Sequence, residues 1–192
     1  WAIGCAHKFG GPKGIGFLKC PSNGKVNPLL TGGPQEFSRR AGTENVPGAI
    51  ALVAALTERE NRLSGSTIDS LETLRNVIEE RLLRGIPDAR ILGRGGKRLW
   101  NTVSVVLPEC DCRFRWVVKL DRLGFAVSTG SACSSGKEKP SHVLESMGLS
   151  EAESSRVIRC SSGLETTEAG WFALVEALMQ VYQESQQLSL AK

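Results

Sequence analysis

Cys133 is the residue of this sequence best suited to nucleophilic chemistry, because it lies on a loop of small residues. The stretch from Phe125 to Ser146 reads FAVSTGSACSSGKEKPSHVLES and predicts a short strand, a glycine- and serine-rich loop and a proline-led helix start. Such a loop leaves the thiol accessible to water, and Lys137 and Lys139 favour the thiolate, which is the nucleophilic form. The alternative is that Cys133 is only a small residue in a turn.

Lys8 is the second candidate for covalent chemistry. Residues 1–19 read WAIGCAHKFGGPKGIGFLK, which predicts a strand, a tight glycine turn at 10–14 and a second strand at 15–18. A lysine held between a strand and a tight turn loses solvation, which lowers its pKa and yields a neutral, nucleophilic amine. The alternative is a solvated surface lysine. The turn lacks the G-x-x-x-x-G-K-[ST] spacing of a phosphate loop.

Composition narrows the classes of protein to which the chain can belong. It has 192 residues, a net charge of +4, 41% hydrophobic residues and 6% aromatic residues, which is typical of a globular protein with one domain or slightly more. Basic residues are scattered among acidic ones, so we expect no nucleic-acid surface. The longest apolar run, Ala49 to Leu56, is too short to span a membrane. Six cysteines and two histidines without paired metal-binding spacing predict no metal site and no disulfide framework, and the cytoplasm is the expected compartment.

The first two predicted helices follow a long irregular loop at 28–45. One helix starts near Asn45 to Pro47, and its middle, Ile50 to Leu56, is apolar on all sides, which predicts burial between layers. Ser66 to Asp69 predicts a capping box for the next helix, which should end at Gly85. The sequence also begins Trp1-Ala2-Ile3 directly inside a predicted strand, so we expect a fragment of a longer protein.

The remaining elements predict an α+β fold with helices on one face of a mostly antiparallel sheet. No internal repeat is found in the sequence. The predicted strands are 89–92, 102–107, 125–128 and 156–160; the predicted helices are 111–123, which places Cys112 in the core, 141–147, and a last helix capped by Thr166 or Thr167.

Four segments together resemble a known family. They are Lys8 in AHKFGGPKGIG, Thr43 in RRAGTENVPG, Cys133 in STGSACSSGKEKPSHVL and Arg159 in RVIRCSSG, in that order. Over essentially the whole chain this resembles the C-terminal half of NifS/IscS-type (group I) cysteine desulfurases, which are class-V aminotransferase-family enzymes of pyridoxal-phosphate fold type I.

The resemblance implies a domain organisation. Residues 1–46 would be the end of the large cofactor-binding domain, with the cofactor lysine and an interface loop. Residues 47–192 would be a linking helix and a small C-terminal domain whose helices pack on a mostly antiparallel sheet and which carries the catalytic-cysteine loop.

The resemblance also implies roles for individual residues. Lys8 would bind pyridoxal phosphate as a Schiff base and then shuttle protons at the substrate's Cα. Arg159 would bind the substrate carboxylate, and Cys133 would attack the substrate's sulfur to form a persulfide. Thr43 would reach the cofactor phosphate of a partner subunit, which implies a homodimer.

Two further residues would lie near the cofactor. His7 precedes the cofactor lysine and would have a structural role. Cys5 stands where the family commonly has serine, and a thiol donates a weaker hydrogen bond to a phosphate than a hydroxyl does. The family's remaining cofactor contacts lie upstream of Lys8, so the fragment alone should bind the cofactor poorly and be inactive.

The implied activity is removal of sulfur from L-cysteine, which gives L-alanine and a persulfide that is passed to an acceptor protein such as an iron–sulfur scaffold. One alternative is a selenocysteine lyase-like relative. Another is a non-catalytic module that docks an acceptor and carries sulfur on Cys133.

Overall fold

The computed structural model describes residues 1–109, 113–129 and 141–190, and it describes the backbone only at 113–115 and 188–190. The chain divides into two compact units, Trp1–Thr67 and Ile68–Lys192. The helix at 46–62 therefore belongs with residues 1–45 in the first unit. The boundary expected after residue 46 concerns domains of a longer protein and stays a prediction.

The first unit begins with a hairpin, as predicted. Strands β1 and β2 pair antiparallel from Ala2 opposite Lys19 to Cys5 opposite Gly16. The bounds of the elements in this unit are β1 Ala2–Cys5, a 3₁₀ turn Ala6–Lys8, β2 Gly16–Lys19, a short turn α1 Gln35–Ser38 and the long helix α2 Val46–Arg62.

Helix α2 starts where the sequence predicts. The Asn45 side-chain oxygen accepts a hydrogen bond from the Gly48 amide at 3.0 Å and caps the helix. The predicted burial of its middle is wrong for the described residues, because Ile50 and Val53 are 65% and 59% exposed while Leu52 is buried. Within the first unit only the Leu52 side of the helix is covered.

The second unit is built around an antiparallel sheet in the order β3-β4-β5. The fold is α+β with helices packed on this sheet, as predicted. The elements are α3 Gly65–Gly85, β3 Arg90–Ile91, β4 Thr102–Val106, α4 Arg113–Arg122, α5 His142–Ser146, α6 Glu151–Ser154, β5 Val157–Ser161 and α7 Glu168–Leu190. No helix among the described residues is long and apolar enough to cross a membrane.

Side chains alternate between the two faces of the sheet, because successive residues of a strand point to opposite sides. One face carries the main core, which includes Val103 and Ile158 together with apolar residues of α3, α4 and α7. The opposite face carries a smaller cluster of five buried residues: Leu92, Val106, Leu144, Leu149 and Val157. Helix α5 therefore packs on the face opposite the main core. The sequence predicted helices on one face of the sheet only, so this helix differs from the prediction.

Two local predictions are wrong. The strand expected at 125–128 is reduced to one bridge, between Ser128 and Arg159. The Phe125 amide instead bonds the Leu120 carbonyl at 2.8 Å, as part of the turn that ends α4, so it is not available to a strand. Helix α3 begins at Gly65, before the capping box expected at 66–69.

Candidate functional site

The backbone around Lys8 is held in a tight turn. Ala6 is fully buried, and its amide donates to the Ile15 carbonyl at 3.1 Å. The Ala6 carbonyl accepts from the amides of Phe9 and Gly11, at 3.1 and 2.9 Å. A Cβ at Gly11 would lie 2.8 Å from the Ala6 Cβ, so this close approach requires glycine. Lys8 is thus the last residue of a turn with little freedom.

The polar side chains at this turn are accessible. Cys5, His7 and Lys8 are all exposed. The desolvation of Lys8 expected from the sequence is therefore not provided by the described residues of the first unit. Within that part of the chain Lys8 forms no ion pair, so its amine is available for covalent chemistry.

Thr43 lies in the same unit and is also exposed. It follows Gly42, whose φ of 102° is in the left-handed region, and it precedes the cap of α2. The Gly42 amide donates to the Gln35 side chain at 3.2 Å, which restrains this part of the loop. No hydrogen bond joins Thr43 to the Lys8 turn among the residues that the structure describes.

Arg159 lies in the second unit, on β5. It pairs with Ser104 of β4 on one side and with Ser128 on the other. The Arg159 amide donates to the Ser128 carbonyl at 2.8 Å, and the Ser128 amide donates to the Arg159 carbonyl at 3.1 Å. The backbone at Arg159 is therefore fixed from both sides.

Arg159 lines a cavity of about 390 Å³ on the face of the sheet that packs against α5. Most of the wall is apolar, and the polar part is small. The lining residues are Leu92, Gly93, Arg98, Ser104, Ser141, His142, Val143, Leu144, Met147, Val157 and Arg159.

The two arginines that line this cavity differ in whether a neighbouring carboxylate neutralises their charge. Arg98 binds the carboxylate of Glu79 through both terminal nitrogens, at 2.7 and 3.0 Å, and Glu79 is only 1% exposed. This hydrogen bond, although opposed by burial, raises the pKa of the Arg98 guanidinium. The Arg159 guanidinium has no hydrogen-bond or ion-pair partner among the described residues. The cavity therefore offers one uncompensated guanidinium in a mostly apolar wall, which suits a single carboxylate.

Cys133 lies outside the described residues, but a described residue before its segment pairs with Arg159, and one after its segment lines the cavity. Ser128, five positions before Cys133, pairs with Arg159, and Ser141, eight positions after it, lines the cavity. Five residues span at most about 18 Å. This is the most that the chain can extend between Ser128 and Cys133.

The other thiols differ in accessibility. Cys160, next to Arg159 in β5, points to the main core and is 1% exposed. Burial raises the pKa of its thiol to about 12, which makes it inert. Cys5 is exposed and Cys20 is half-buried. Cys112, predicted to be in the core, lies outside the described residues.

Sequence reasoning missed the other polar residues of the cavity. Ser104 and Arg159 could have been assigned to one face from the alternation along the two predicted strands. Arg98 and His142 carry no comparable signal, because a loop and a helix start bring them to the sheet.

Comparison with known proteins identifies the family. Residues 2–173 match the family described as Aminotransferase class-V. The chain belongs to the class-V aminotransferase family, as the motifs predict.

The individual relatives are named cysteine desulfurase. One from Klebsiella pneumoniae is 39% identical over 163 residues, which are 85% of this chain and 40% of that protein. One from Cereibacter sphaeroides is 38% identical over 184 residues, which are 96% of this chain and 46% of that protein. The resemblance to cysteine desulfurases is confirmed, and the chain spans less than half the length of these relatives.

Solved structures agree with this fold. A NifS-like protein from Rickettsia africae has a TM-score of 0.77 and 30% sequence identity, over 93% of this chain and 46% of that one. The desulfurase CsdA from Escherichia coli, at 20% identity and a TM-score of 0.68, shares the fold.

Proposed function

We propose that the protein containing this chain is a pyridoxal-phosphate-dependent cysteine desulfurase, and that the chain is its C-terminal half. The observation that carries the proposal is the Arg159 cavity, where the guanidinium has no partner among the described residues. Ser128, before the Cys133 segment, pairs with the Arg159 backbone, and Ser141, after that segment, lines the cavity. The described residues that flank the Cys133 segment therefore support a carboxylate-binding group and a loop thiol that act together. The family and the names of the relatives support the same activity.

The Lys8 turn fits the cofactor that the family implies. The amine is exposed, unpaired within the described residues, and placed at the end of a turn that is fixed by Ala6. When bound, pyridoxal phosphate supplies an electron sink for bond cleavage at the substrate carbon. Lys8 would hold it covalently, and its Nζ would move protons to and from the substrate Cα. His7 and Cys5 would flank the cofactor, with the Cys5 thiol as a weak donor to the phosphate.

Arg159 would bind and orient the substrate. A guanidinium pairs with a carboxylate through two parallel hydrogen bonds, which fixes the carboxylate's plane as well as its position. The apolar wall formed by Val157 and Leu144 would strengthen this pairing, because apolar side chains beside the guanidinium lower the local dielectric constant. Both effects orient the amino acid without changing it chemically.

Cys133 would collect the sulfur. Its thiolate attacks the substrate sulfur, a sulfur–sulfur bond forms, and the substrate's carbon–sulfur bond breaks. Protonation of that carbon yields L-alanine, and the persulfide stays on Cys133 until an acceptor thiol takes it. The five-residue connection to Ser128 would limit how far the thiol can lie from the bound carboxylate.

A homodimer is part of the proposal. The first unit leaves large apolar side chains uncovered, such as Leu29 at 95%, Phe37 at 89% and Ile50 at 65% exposure. Apolar surface of this extent is typical of a surface that another part of the protein or another subunit covers. Thr43, on the same exposed loop region, would contact the cofactor phosphate of the partner subunit.

The sulfur acceptor is proposed to be a protein such as an iron–sulfur scaffold, in the cytoplasm. The test uses the full-length protein with bound cofactor. We expect equal amounts of alanine and sulfide from L-cysteine in the presence of a reducing thiol. Alanine and selenide from selenocysteine without turnover of cysteine would favour a selenocysteine lyase, and absence of both activities would favour a docking and sulfur-carrying module.

A further inference from the structure

Arg59 connects helix α2 to the turn that carries Lys8. Its Nε donates a hydrogen bond to the Phe9 carbonyl at 3.0 Å, across 50 positions of sequence. Phe9 immediately follows Lys8, and both Phe9 and Arg59 are half-buried. The contact therefore fixes the backbone one residue away from the proposed cofactor lysine.

The guanidinium of Arg59 also packs against Gly10. A Cβ built on Gly10 would lie 3.2 Å from Nη2 of Arg59, and Gly10 has a φ of +97°. Glycine reaches this backbone conformation at little steric cost and leaves room for the arginine. Arg59 thus contacts two successive residues directly after Lys8.

This contact differs in kind from the other restraints on the turn. The bonds to the Ala6 carbonyl and from the Ala6 amide stay within the hairpin, so they shape the turn but do not place it. The Arg59 bond joins it to a helix of 17 residues. The Phe9 carbonyl is part-buried, so loss of its donor would leave an acceptor poorly satisfied.

We propose that Arg59 is a positioning residue that holds the Lys8 turn against α2, so that the lysine amine is presented in one orientation. The inference rests on the proposed role of Lys8 in binding the cofactor. Arg59 acts through the Phe9 carbonyl and Gly10, and it needs no contact with substrate or cofactor. Its chemistry is that of a charged donor, which gives a stronger bond to a carbonyl than a neutral donor does.

The test compares Arg59→Met with Glu60→Gln in the full-length protein stripped of cofactor. Arg59→Met keeps an unbranched side chain but removes every donor, whereas Glu60 is exposed on the same helix and serves as the matched control. Two quantities are measured: hydrogen exchange at the Phe9 and Gly11 amides, and the rate at which added pyridoxal phosphate forms a borohydride-reducible linkage.

For Arg59→Met we expect hydrogen exchange at both amides to be faster by about tenfold. We expect the cofactor linkage to form more slowly by about the same factor. Arg59→Lys, which keeps a charged donor, should recover most of the rate, and Glu60→Gln should match the wild type. If Arg59→Met fails to fold, Arg59→Leu, which also lacks a donor, takes its place with the same expected result.

An unchanged rate in Arg59→Met, while the linkage still depends on Lys8, contradicts the inference about Arg59 alone. A reducible linkage of normal yield in Lys8→Ala contradicts the proposed role of Lys8 itself. Faster exchange at Phe9 and Gly11 without any slowing of the linkage shows that the contact is only structural, and this result also overturns the positioning role.

Discussion

Arg159 and Ser128 exchange two backbone hydrogen bonds, at 2.8 and 3.1 Å. The residue proposed to bind the substrate carboxylate is therefore directly paired with the residue from which the chain continues towards Cys133. Because the pairing is between main-chain groups, it does not depend on either side chain. The two functions proposed for this unit, carboxylate binding and sulfur transfer, thus share one structural support.

Substitution of the loop thiol should separate cofactor binding from turnover. In the full-length protein, Cys133→Ser should keep the near-visible absorbance of the bound cofactor and lose sulfide release, because a hydroxyl cannot carry the sulfur. Cys160→Ala is the control, since this thiol is buried in the core on the other face of the sheet. Sulfide release by Cys133→Ser above the non-enzymatic rate would show that another group is the nucleophile.

Substitution of Arg159, the residue proposed to bind the substrate carboxylate, should raise the KM. Arg159→Ala should raise the KM for L-cysteine by about tenfold or more, as expected for loss of a charged pair worth about 1.5–3 kcal/mol. Arg159→Lys should recover only part of this, because lysine cannot form the bidentate pair. Arg156→Ala, three residues earlier, serves as the control and should leave KM unchanged. Steady-state kinetics that give the same KM for Arg159→Ala and the wild type would exclude the carboxylate pair.

The buried pair of Glu79 and Arg98 should matter for stability. Glu79→Ala leaves the Arg98 guanidinium, and Arg75 with its Nε 4.0 Å from the carboxylate, without a buried negative charge. We expect the free energy of unfolding of the second unit to fall by about 3–5 kcal/mol. Native-state hydrogen exchange at the amides of β4 and β5 measures this decrease in the free energy of unfolding.

A double substitution supplies the comparison for the Glu79 prediction. Glu79→Leu with Arg98→Met removes both charges of this pair and keeps side-chain volume. It should therefore cost less than Glu79→Ala, although Arg75 still loses its nearby carboxylate. Equal losses in the single and double variants would mean that packing, and not the unpaired charge, sets the cost.

The buried thiol of Cys160 predicts a loss of stability at high pH. Burial raises its pKa from 9.0 to about 12. The folded state therefore keeps its proton where the unfolded state releases it, and the stabilisation is complete below pH 9 and decreases as the pH rises towards 12. Urea unfolding at pH 8 and about pH 10.5 should show a smaller decrease in Cys160→Val than in the wild type. An identical pH dependence in Cys160→Val and the wild type would show that the Cys160 thiol is not the source of this loss of stability.

Local signals in the sequence predict much of the fold. Asn45 and Pro47 place the start of α2, and Thr167, whose hydroxyl accepts from the Gly170 amide at 3.1 Å, caps the last helix as expected. These features depend on neighbours within a few residues, so sequence reasoning reaches them. The α+β class follows from the same signals.

The features that were not predicted depend on distant partners. Ser128 pairs with Arg159 across 31 positions, and the Glu79–Arg98 pair joins a helix to a loop. The exposure of Ile50 depends on which parts of the protein cover α2, and an apolar sequence pattern does not specify them. Lys8 was a candidate from its position before a tight turn, whereas Thr43 and Arg159 came from the resemblance. The structure adds the cavity at Arg159, which composition and spacing do not reveal.

The most direct test of the proposed function is to locate the sulfur after reaction. Full-length protein with bound cofactor is mixed with L-cysteine, its thiols are blocked, and the peptides that contain each cysteine are weighed by mass spectrometry. We expect one additional sulfur atom on the peptide with Cys133 and none on those with Cys5 or Cys160. Alanine release without added sulfur on Cys133, or added sulfur on another cysteine instead, would contradict the proposed role of Cys133.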